Sequence, residues 1–204
     1  MKRPRLGFLA SHGGSNMQAI VDACKEGRLH AELAVVISNN SESTALERAR
    51  REGIPRYHLS SATHPDPAQL DAAIMRALED HGVDLVILAG YMKLLGPQTL
   101  ARYRGRILNI HPALLPKFGG KGLYGKKVHE AVLAAGERVT GVTIHLVDER
   151  YDAGPIVAQS EVPVLEDDTV DSLAARVLER EHQLFAETLE KIVQGEIDLD
   201  AVSS

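Results

Sequence analysis

The chain has almost none of the residues that form disulfide bonds or cysteine-based metal centres. Cys24 is the single cysteine among 204 residues, so an internal disulfide bond and a cysteine-based metal cluster are both excluded. The nine histidines include no HxxxH pair within a helical pattern, and we therefore expect no metal site. The cysteine content fits a cytoplasmic location, which is our expectation for this chain.

Long hydrophobic runs are also missing. The first five residues are basic in character, but only the short apolar stretch 6–10 follows them. That stretch is too short for the core of a signal peptide and is typical of a first β-strand. No apolar run approaches the ~20 residues that a membrane-spanning helix needs, so we expect no association with a membrane.

Aromatic residues and basic clusters are sparse. Aromatics make up 4% of the chain, tryptophan is absent, and the formal net charge is -5. This balance argues against a nucleic-acid partner held through its phosphates, although a few local donors can still hold a small anionic substrate. The residues that are present, 44% hydrophobic and 25% charged, are typical of a folded protein. We expect one domain spanning residues 1–204.

Strand-like and helix-like patterns alternate along the chain. The predicted strands are 6–10, 32–38, 57–59, 83–89, 106–110, 140–147 and 156–164, and the predicted helices are 15–26, 43–52, 67–81, 128–135 and 169–193. A glycine-rich loop over 114–127 and an aperiodic tail over 195–204 complete the prediction. The alternation predicts an α/β fold with an open, mostly parallel, doubly wound sheet and an antiparallel edge towards the C-terminus.

Polar residues mark the end of the strand predicted over 106–110. Asn109 and His111 are two residues apart on an extended segment, so their side chains project to the same side, and Pro112 ends the strand. Ligands of such sheets bind beyond the carboxyl ends of the strands. An amide donor beside a titratable imidazole can stabilise an oxyanion and move a proton, which makes this segment a candidate catalytic site.

Asp152 is the carboxylate that we group with this pair. It opens the sequence Asp152-Ala153-Gly154-Pro155, which is also good turn chemistry, so a purely structural role is an alternative. A structural role is equally an alternative for His111 taken alone. The occurrence of amide, imidazole and carboxylate together favours catalysis.

The segment from Ser11 to Asn16 joins the first strand to the first helix. Its glycines let the backbone approach a ligand, and the N–H groups at a helix N-terminus attract anions, so a phosphate is the expected guest. The alternative is that Ser15 or Asn16 caps the helix. Two other histidines have simpler interpretations: we expect His145 to be packed within a strand and His129 to lie on a solvated helix face.

Taken together, these motifs resemble the folate-dependent formyltransferase family over nearly the whole chain. The matching segments are Gly14-Ser15-Asn16, Ser38-Asn39, Leu88-Ala89-Gly90-Tyr91-Met92, Asn109-Ile110-His111-Pro112 with Leu114-Leu115-Pro116, Gly141 to His145, and Asp152 to Pro155. The resemblance implies transfer of a formyl group from 10-formyltetrahydrofolate to the amine of glycinamide ribonucleotide in purine biosynthesis, without a metal. It also implies a phosphate-binding N-terminal half, and a C-terminal half for folate binding and catalysis.

The resemblance assigns roles to individual residues. The implied catalytic residues are Asn109, His111 as proton donor, and Asp152. The implied ribonucleotide-binding residues are Gly14, Ser15, Asn16 and Glu181. The implied folate-binding residues are Met92, Lys93, Leu94, Leu95, Asn109, Asp148, Glu149, Arg150, Tyr151 and Asp152. We expect Asp152 to raise the proton affinity of His111, which would keep more of the imidazole protonated at neutral pH.

The chain departs from the family pattern in places. Phe118-Gly119-Gly120 stands where Phe-Pro-Gly or Tyr-Pro-Gly is usual, and Lys93 replaces a frequent arginine. Two alternatives remain beside the transferase: a sister enzyme that passes the formyl group to water, and a nucleotide-binding module without chemistry. The residues leave the oligomeric state open between a monomer and a homodimer.

Overall fold

A computed structural model describes residues 2–204, which form seven strands and seven helices. The strands are β1 (Arg5–Ala10), β2 (Glu32–Ser38), β3 (Arg56–His58), β4 (Leu85–Leu88), β5 (Ile107–His111), β6 (Val139–Leu146) and β7 (Ile156–Pro163). The helices are α1 (Ser15–Lys25), α2 (Thr44–Arg51), α3 (Pro67–Asp80), α4 (Pro97–Arg102), α5 (Lys126–Ala134), α6 (Val170–Val193) and α7 (Leu199–Ser203). Within residues 2–204, no helix is long and apolar enough to cross a membrane.

All seven strands join one sheet in the order β3-β2-β1-β4-β5-β6-β7. The first five strands pair in parallel, whereas β6 runs antiparallel to both β5 and β7. The predicted mostly parallel sheet with an antiparallel C-terminal edge is therefore confirmed. The pairing of β5 with β6 also sets Asn109 opposite His145 and His111 opposite Thr143.

Helices cover both faces of the sheet, and the strands are apolar on both sides for that reason. One core cluster joins α1, α2, α5 and α6 to side chains such as Leu108 and Ile110 of β5. The other joins α3 and the end of α4 to Ile107 of the same strand. Because side chains alternate along a strand, Asn109 and His111 leave β5 on the same side as Ile107.

Two short helices, α4 and α7, are not among the predicted elements. The N-terminus of α4 depends on a distant partner, because the buried carboxylate of Asp71 accepts hydrogen bonds from the N–H groups of Gln98 at 2.7 Å and Thr99 at 3.0 Å. Helix α4 spans six residues and α7 spans five, which is too short for a helical period to be recognised. The tail over 195–204, which shows little periodicity in the sequence, therefore contains a short helix that was not predicted.

Candidate active site

A cavity of about 590 Å³ lies where the segments that follow β1, β4 and β5 meet. Seven of the predicted site residues line it: Asn16, Met92, Asn109, His111, Tyr151, Asp152 and Glu181. This position, beyond the carboxyl ends of parallel strands, is where the fold places ligands. In residues 2–204 no group of three or more His, Cys, Asp or Glu side chains is arranged to hold a metal ion.

Asn109 is oriented by the histidine opposite it in the sheet. The imidazole of His145 is buried, as predicted, and its Nδ1–H donates to the carbonyl oxygen of Leu146 at 3.0 Å. When the ring is neutral, its Nε2 therefore accepts from the Asn109 amide nitrogen Nδ2, at 3.2 Å. One N–H of the Asn109 amide is held in this way, which leaves the other N–H for a ligand in the cavity.

His111 is buried and is held from both sides. Its Nε2–H donates to the carbonyl oxygen of Phe118 at 2.7 Å, and its Nδ1 lies 3.5 Å from Oδ2 of Asp152. A carbonyl oxygen can only accept, so Nε2 carries a proton in both ionisation states of the ring. The nitrogen that gains and loses a proton is therefore Nδ1, which faces the carboxylate.

Burial lowers the pKa of His111 below its ordinary value, although the charge of Asp152 and the hydrogen bond to Phe118 act to raise it. Nearby His145 lowers the pKa further. The expectation that Asp152 keeps His111 more protonated than a free histidine is therefore wrong in its net effect. The carboxylate acts in the expected direction, but the loss of hydration around a buried imidazolium outweighs it.

Asp152 occupies a left-handed backbone conformation with φ of 51°, which aspartate tolerates better than most residues. Its Oδ2 accepts a hydrogen bond from the N–H of Gly120 at 3.0 Å, and its Oδ1 lies 3.5 Å from Nε2 of His145. Burial acts to raise the pKa of Asp152, but a hydrogen bond from the charged form of His145, the hydrogen bond from Gly120 and the positive charge of His111 hold it below its ordinary value. The residue therefore serves as a turn former and presents an ionised carboxylate to both histidines.

The segment Phe118-Gly119-Gly120 supports the two ionisable groups through its backbone. The Phe118 carbonyl holds His111, and the Gly120 N–H holds Asp152. A Cβ atom at Gly119 would lie too close to Leu115, and Gly120 has a φ of 102° that favours glycine. Sequence reasoning noted this segment only as a departure from the family pattern, because backbone contacts have no sequence signature.

The glycine turn before α1 has the geometry of an anion site. Gly14 is the N-cap with a left-handed φ of 68°, and α1 has no side-chain capping bond, so the alternative that Ser15 or Asn16 caps the helix is wrong. A Cβ atom at Gly14 would lie 2.9 Å from that of Ala45, which makes glycine necessary there. The first N–H groups of α1 are thus left without a side-chain partner.

Two cationic or ionisable side chains approach the same turn. Nε of Arg48 donates to the carbonyl oxygen of Gly13 at 2.9 Å, and Nε2 of His182 lies 3.2 Å from Oγ of Ser15. Burial lowers the pKa of His182, and the positive charge of Arg48 lowers it further. The N-terminus of α1 therefore combines free backbone N–H groups with a nearby guanidinium, an arrangement suited to binding a phosphate.

Glu181 of α6 reaches the cavity next to Asn16. Its side chain is almost fully buried, and Nδ2 of Asn16 donates to its Oε1 at 3.4 Å. Burial raises the pKa of Glu181 to about 7, while the bond from Asn16 acts in the opposite direction. The amide oxygen Oδ1 of Asn16 is buried without a hydrogen-bond partner. Each of these side chains therefore keeps an oxygen atom free to accept a hydrogen bond from a ligand.

The predicted folate residues fall into two groups. Met92 and Tyr151 line the cavity and are partly exposed, and the N–H of Met92 is held by Oγ of Ser11 at 2.8 Å. Outside the lining, Lys93 and Leu94 are exposed, and Leu95 packs in the core cluster of α3. Asp148, Glu149 and Arg150 are also outside the lining, with Asp148 paired to Arg150 at 3.0 Å. The folate roles of all ten residues stay predictions.

Sequence reasoning also missed residues that line the cavity. His129 is only 4% exposed on α5, so the expectation that it lies on a solvated face is wrong. The helical spacing contained the signal, since Val128, His129 and Val132 form one buried stripe. Tyr124 and Leu178 add exposed apolar surface to the lining.

The chain is similar to known proteins over most of its length. Residues 4–189 match the formyl transferase family. A relative is the chloroplastic phosphoribosylglycinamide formyltransferase of Vigna unguiculata, 45% identical over 97% of this chain, although the chain spans only 63% of that protein's length.

Two solved structures bear on the same question. The crystal structure of glycinamide ribonucleotide transformylase 1 from Symbiobacterium toebii aligns with a TM-score of 0.87 and 44% identity, covering 95% of this chain and 89% of that one. A formyltetrahydrofolate deformylase from Pseudomonas syringae aligns with a TM-score of 0.82 and 27% identity, covering 95% of this chain and 62% of that one. The chain belongs to the formyl transferase family.

Proposed function

We propose that this protein transfers the formyl group of 10-formyltetrahydrofolate to the amine of glycinamide ribonucleotide, giving formylglycinamide ribonucleotide and tetrahydrofolate. The observation that carries the proposal is the cluster of Asn109, His111 and Asp152 at the wall of one cavity. That cavity also receives polar side chains from α1 and α6 and exposed apolar side chains from loops. The two kinds of wall match the two substrates.

The ribonucleotide occupies the side formed by α1 and α6. Its phosphate is held at the uncapped N-terminus of α1 by Gly14, Ser15 and Asn16, with the guanidinium of Arg48 close by. Glu181 then accepts hydrogen bonds from the ribose hydroxyl groups. A buried carboxylate with a pKa near neutrality is well suited to this role, since a bound donor would stabilise its ionised form.

The folate occupies the side formed by the loops after β4 and β6. Met92 and Tyr151 supply partly exposed apolar surface there, and Tyr124 adds to the exposed lining. Flat heteroaromatic ligands bind such surfaces through apolar contact and stacking. Lys93 and residues 148–150 would contribute at the rim, whereas Leu94 lies outside the lining and Leu95 is packed in the core.

The chemistry follows from the positions of three side chains. The substrate amine attacks the formyl carbon, and negative charge develops on the formyl oxygen. The free N–H of Asn109 and the protonated His111 stabilise this charge from fixed positions. The carbon–nitrogen bond to the folate then breaks, and the bonding electron pair takes a proton from Nδ1 of His111. The carboxylate of Asp152, 3.5 Å away, compensates the imidazolium until the proton leaves.

The lowered pKa of His111 has a consequence for this step. An imidazolium in a buried site is a stronger acid than one in water, so it gives up its proton to the departing nitrogen more readily. The cost is a smaller protonated fraction at neutral pH. The attacking amine releases a proton after the new bond forms. Asp152 or a water molecule passes that proton to Nδ1, which regenerates the protonated His111.

An assay for tetrahydrofolate release tests the proposal. With 10-formyltetrahydrofolate as donor, we expect turnover only when glycinamide ribonucleotide is added. The likeness to the solved deformylase makes hydrolysis the second candidate, because water could take the place of the amine. Equal turnover without the ribonucleotide would establish the deformylase and overturn the proposal, and no turnover with either acceptor would indicate a binding module.

A further inference from the structure

His129 is an ionisable side chain at the cavity wall that the proposed mechanism does not use. It is 4% exposed on α5, and its Nδ1 is buried without a hydrogen-bond partner. An unpaired buried polar atom costs roughly 1–3 kcal/mol relative to a paired one. Such an atom in a native protein calls for an explanation, which a bound ligand can supply.

Packing alone gives no reason for a histidine at this position. The neighbours of His129 in the buried stripe of α5 are Val128 and Val132, both fully buried in apolar surroundings. An apolar side chain of similar size would satisfy the same packing without the unpaired nitrogen. The polar ring therefore serves something other than the core.

His129 lies near the side of the cavity formed by α1 and α6, where we place the ribonucleotide. Helix α5 packs against α6, the helix that carries Glu181, and both contribute to the core cluster on the face of α1. His129 also lies close enough to His111 for the charge of His111 to disfavour protonation of His129. Asn16, whose Oδ1 is also buried and unpaired, lines the same cavity. Two unpaired polar atoms thus belong to side chains that line one cavity.

We propose that His129 binds the glycinamide part of the ribonucleotide through a hydrogen bond, beside the reacting amine. This role rests on the proposed function and adds a contact from a third helix to it. A neutral imidazole offers one donor and one acceptor, and the glycinamide amide group presents both complements. Burial favours that neutral form.

The test compares binding with stability in His129→Phe. Phenylalanine keeps the ring volume and removes both nitrogens, so we expect an unchanged or higher melting temperature. We expect the affinity for glycinamide ribonucleotide, measured by titration calorimetry, to fall roughly tenfold, the size of a lost hydrogen bond. The KM for 10-formyltetrahydrofolate should change less than twofold. His58→Phe, in β3 at the far edge of the sheet, is the matched control and should alter neither constant.

A second pair of variants tests the same role if His129→Phe does not fold. Glutamine and methionine are similar in length, but only glutamine can donate and accept a hydrogen bond. We expect His129→Gln to bind the ribonucleotide at least fivefold more tightly than His129→Met. Equal ribonucleotide affinity in wild type, His129→Phe and this pair would overturn the role of His129 alone. A wild-type protein that binds no glycinamide ribonucleotide would overturn the proposed function, and the role of His129 with it.

Discussion

The two walls of the cavity are built on opposite principles. The helical wall presents Asn16, His129 and Glu181 from three packed helices, and these side chains are largely buried and polar. The loop wall presents Met92 and Tyr151, which are exposed and mostly apolar. A wall of fixed polar groups can recognise a small ligand atom by atom. A wall of exposed apolar groups offers contact area to a larger ligand and demands less exact placement.

The difference also concerns energy in the unliganded protein. The helical wall carries groups that are unfavourable without a ligand: Glu181 is a buried acid with a raised pKa, and His129 has an unpaired nitrogen. The loop wall carries no comparable burden. Substitutions on the helical wall should therefore weaken binding while they leave stability unchanged or increase it, as is common at functional sites. Substitutions on the loop wall should change binding only.

The largest expected effect belongs to His111, which lies between the two walls. His111→Ala removes the proton donor and half of the oxyanion contact, so we expect turnover to fall at least ~100-fold, the lower end for general acid catalysis. Circular dichroism should show near-normal folding. Wild-type turnover in this variant would remove His111 from the mechanism.

An NMR titration of His111 examines the same residue without turnover. Burial lowers its pKa, so the wild-type imidazole should titrate below the ordinary histidine value of about 6.5. Asp152→Asn removes the charge that acts to raise this pKa, so the titration should move to still lower pH. A shift to higher pH would contradict the assignment of Asp152 as the compensating charge.

Glu181→Gln is expected to have the next largest effect. Loss of the acceptor charge should raise the KM for glycinamide ribonucleotide roughly 20-fold at pH 8, within the range for hydrogen bonds to charged groups. The KM for the folate should stay within twofold. Because the folded pKa of about 7 exceeds the unfolded value, the stability associated with this group is present at low pH and lost as pH rises through 7.

The variant should therefore differ from wild type in stability in a pH-dependent way. At pH 4 wild-type Glu181 is protonated in the folded protein and largely so in the unfolded chain, so it resembles glutamine and the melting temperatures should nearly agree. At pH 8 the wild type holds a buried charge, and Glu181→Gln should be more stable by an amount on the order of 3 kcal/mol. Equal stability at both pH values would show that Glu181 has an ordinary pKa. The helical wall would then not be destabilised by a buried charge at Glu181.

Arg48 tests the phosphate end of the helical wall. Its guanidinium bonds the Gly13 carbonyl beside the uncapped turn, so Arg48→Ala should raise the KM for the ribonucleotide roughly tenfold. Arg51→Ala is the matched control, since Arg51 lies on the same helix but pairs with Glu47 at the surface. Raised salt should reduce the difference between the two variants. Equal KM values would place the phosphate elsewhere.

The helical wall could be predicted from sequence further than the loop wall. The glycine turn and the strand carrying Asn109 and His111 have local patterns, and the structure places Asn16, Asn109 and His111 at one cavity. The helical period predicted α6, but the role of Glu181 came from the resemblance. The position of His129 in the cavity lining was not predicted, because the helix face that carries it was expected to be solvated. The support of His111 and Asp152 by Phe118 and Gly120 could not be predicted, since backbone hydrogen bonds across a turn do not depend on a recognisable side chain.

The loop wall was predicted by resemblance alone. Residues 92–95 show no helical or strand period that predicts which side chain faces a ligand, because side chains in an irregular loop follow no fixed alternation. The structure separates Met92 from Leu95, which packs beside α3. The net protonation of His111 was mispredicted for a related reason, since burial depends on the whole fold while the neighbouring carboxylate is visible in the sequence.

The smallest expected effect decides how far the loop wall extends. Met92 lines the cavity at 42% exposure, whereas Leu94 is 56% exposed and lies outside the lining. Met92→Ala removes part of an apolar contact, so the KM for 10-formyltetrahydrofolate should rise about threefold, with turnover and melting temperature unchanged. Leu94→Ala should leave all three quantities as they are. A similar rise in Leu94→Ala would mean that the folate reaches beyond the cavity lining and that the resemblance located this wall better than the unliganded geometry does.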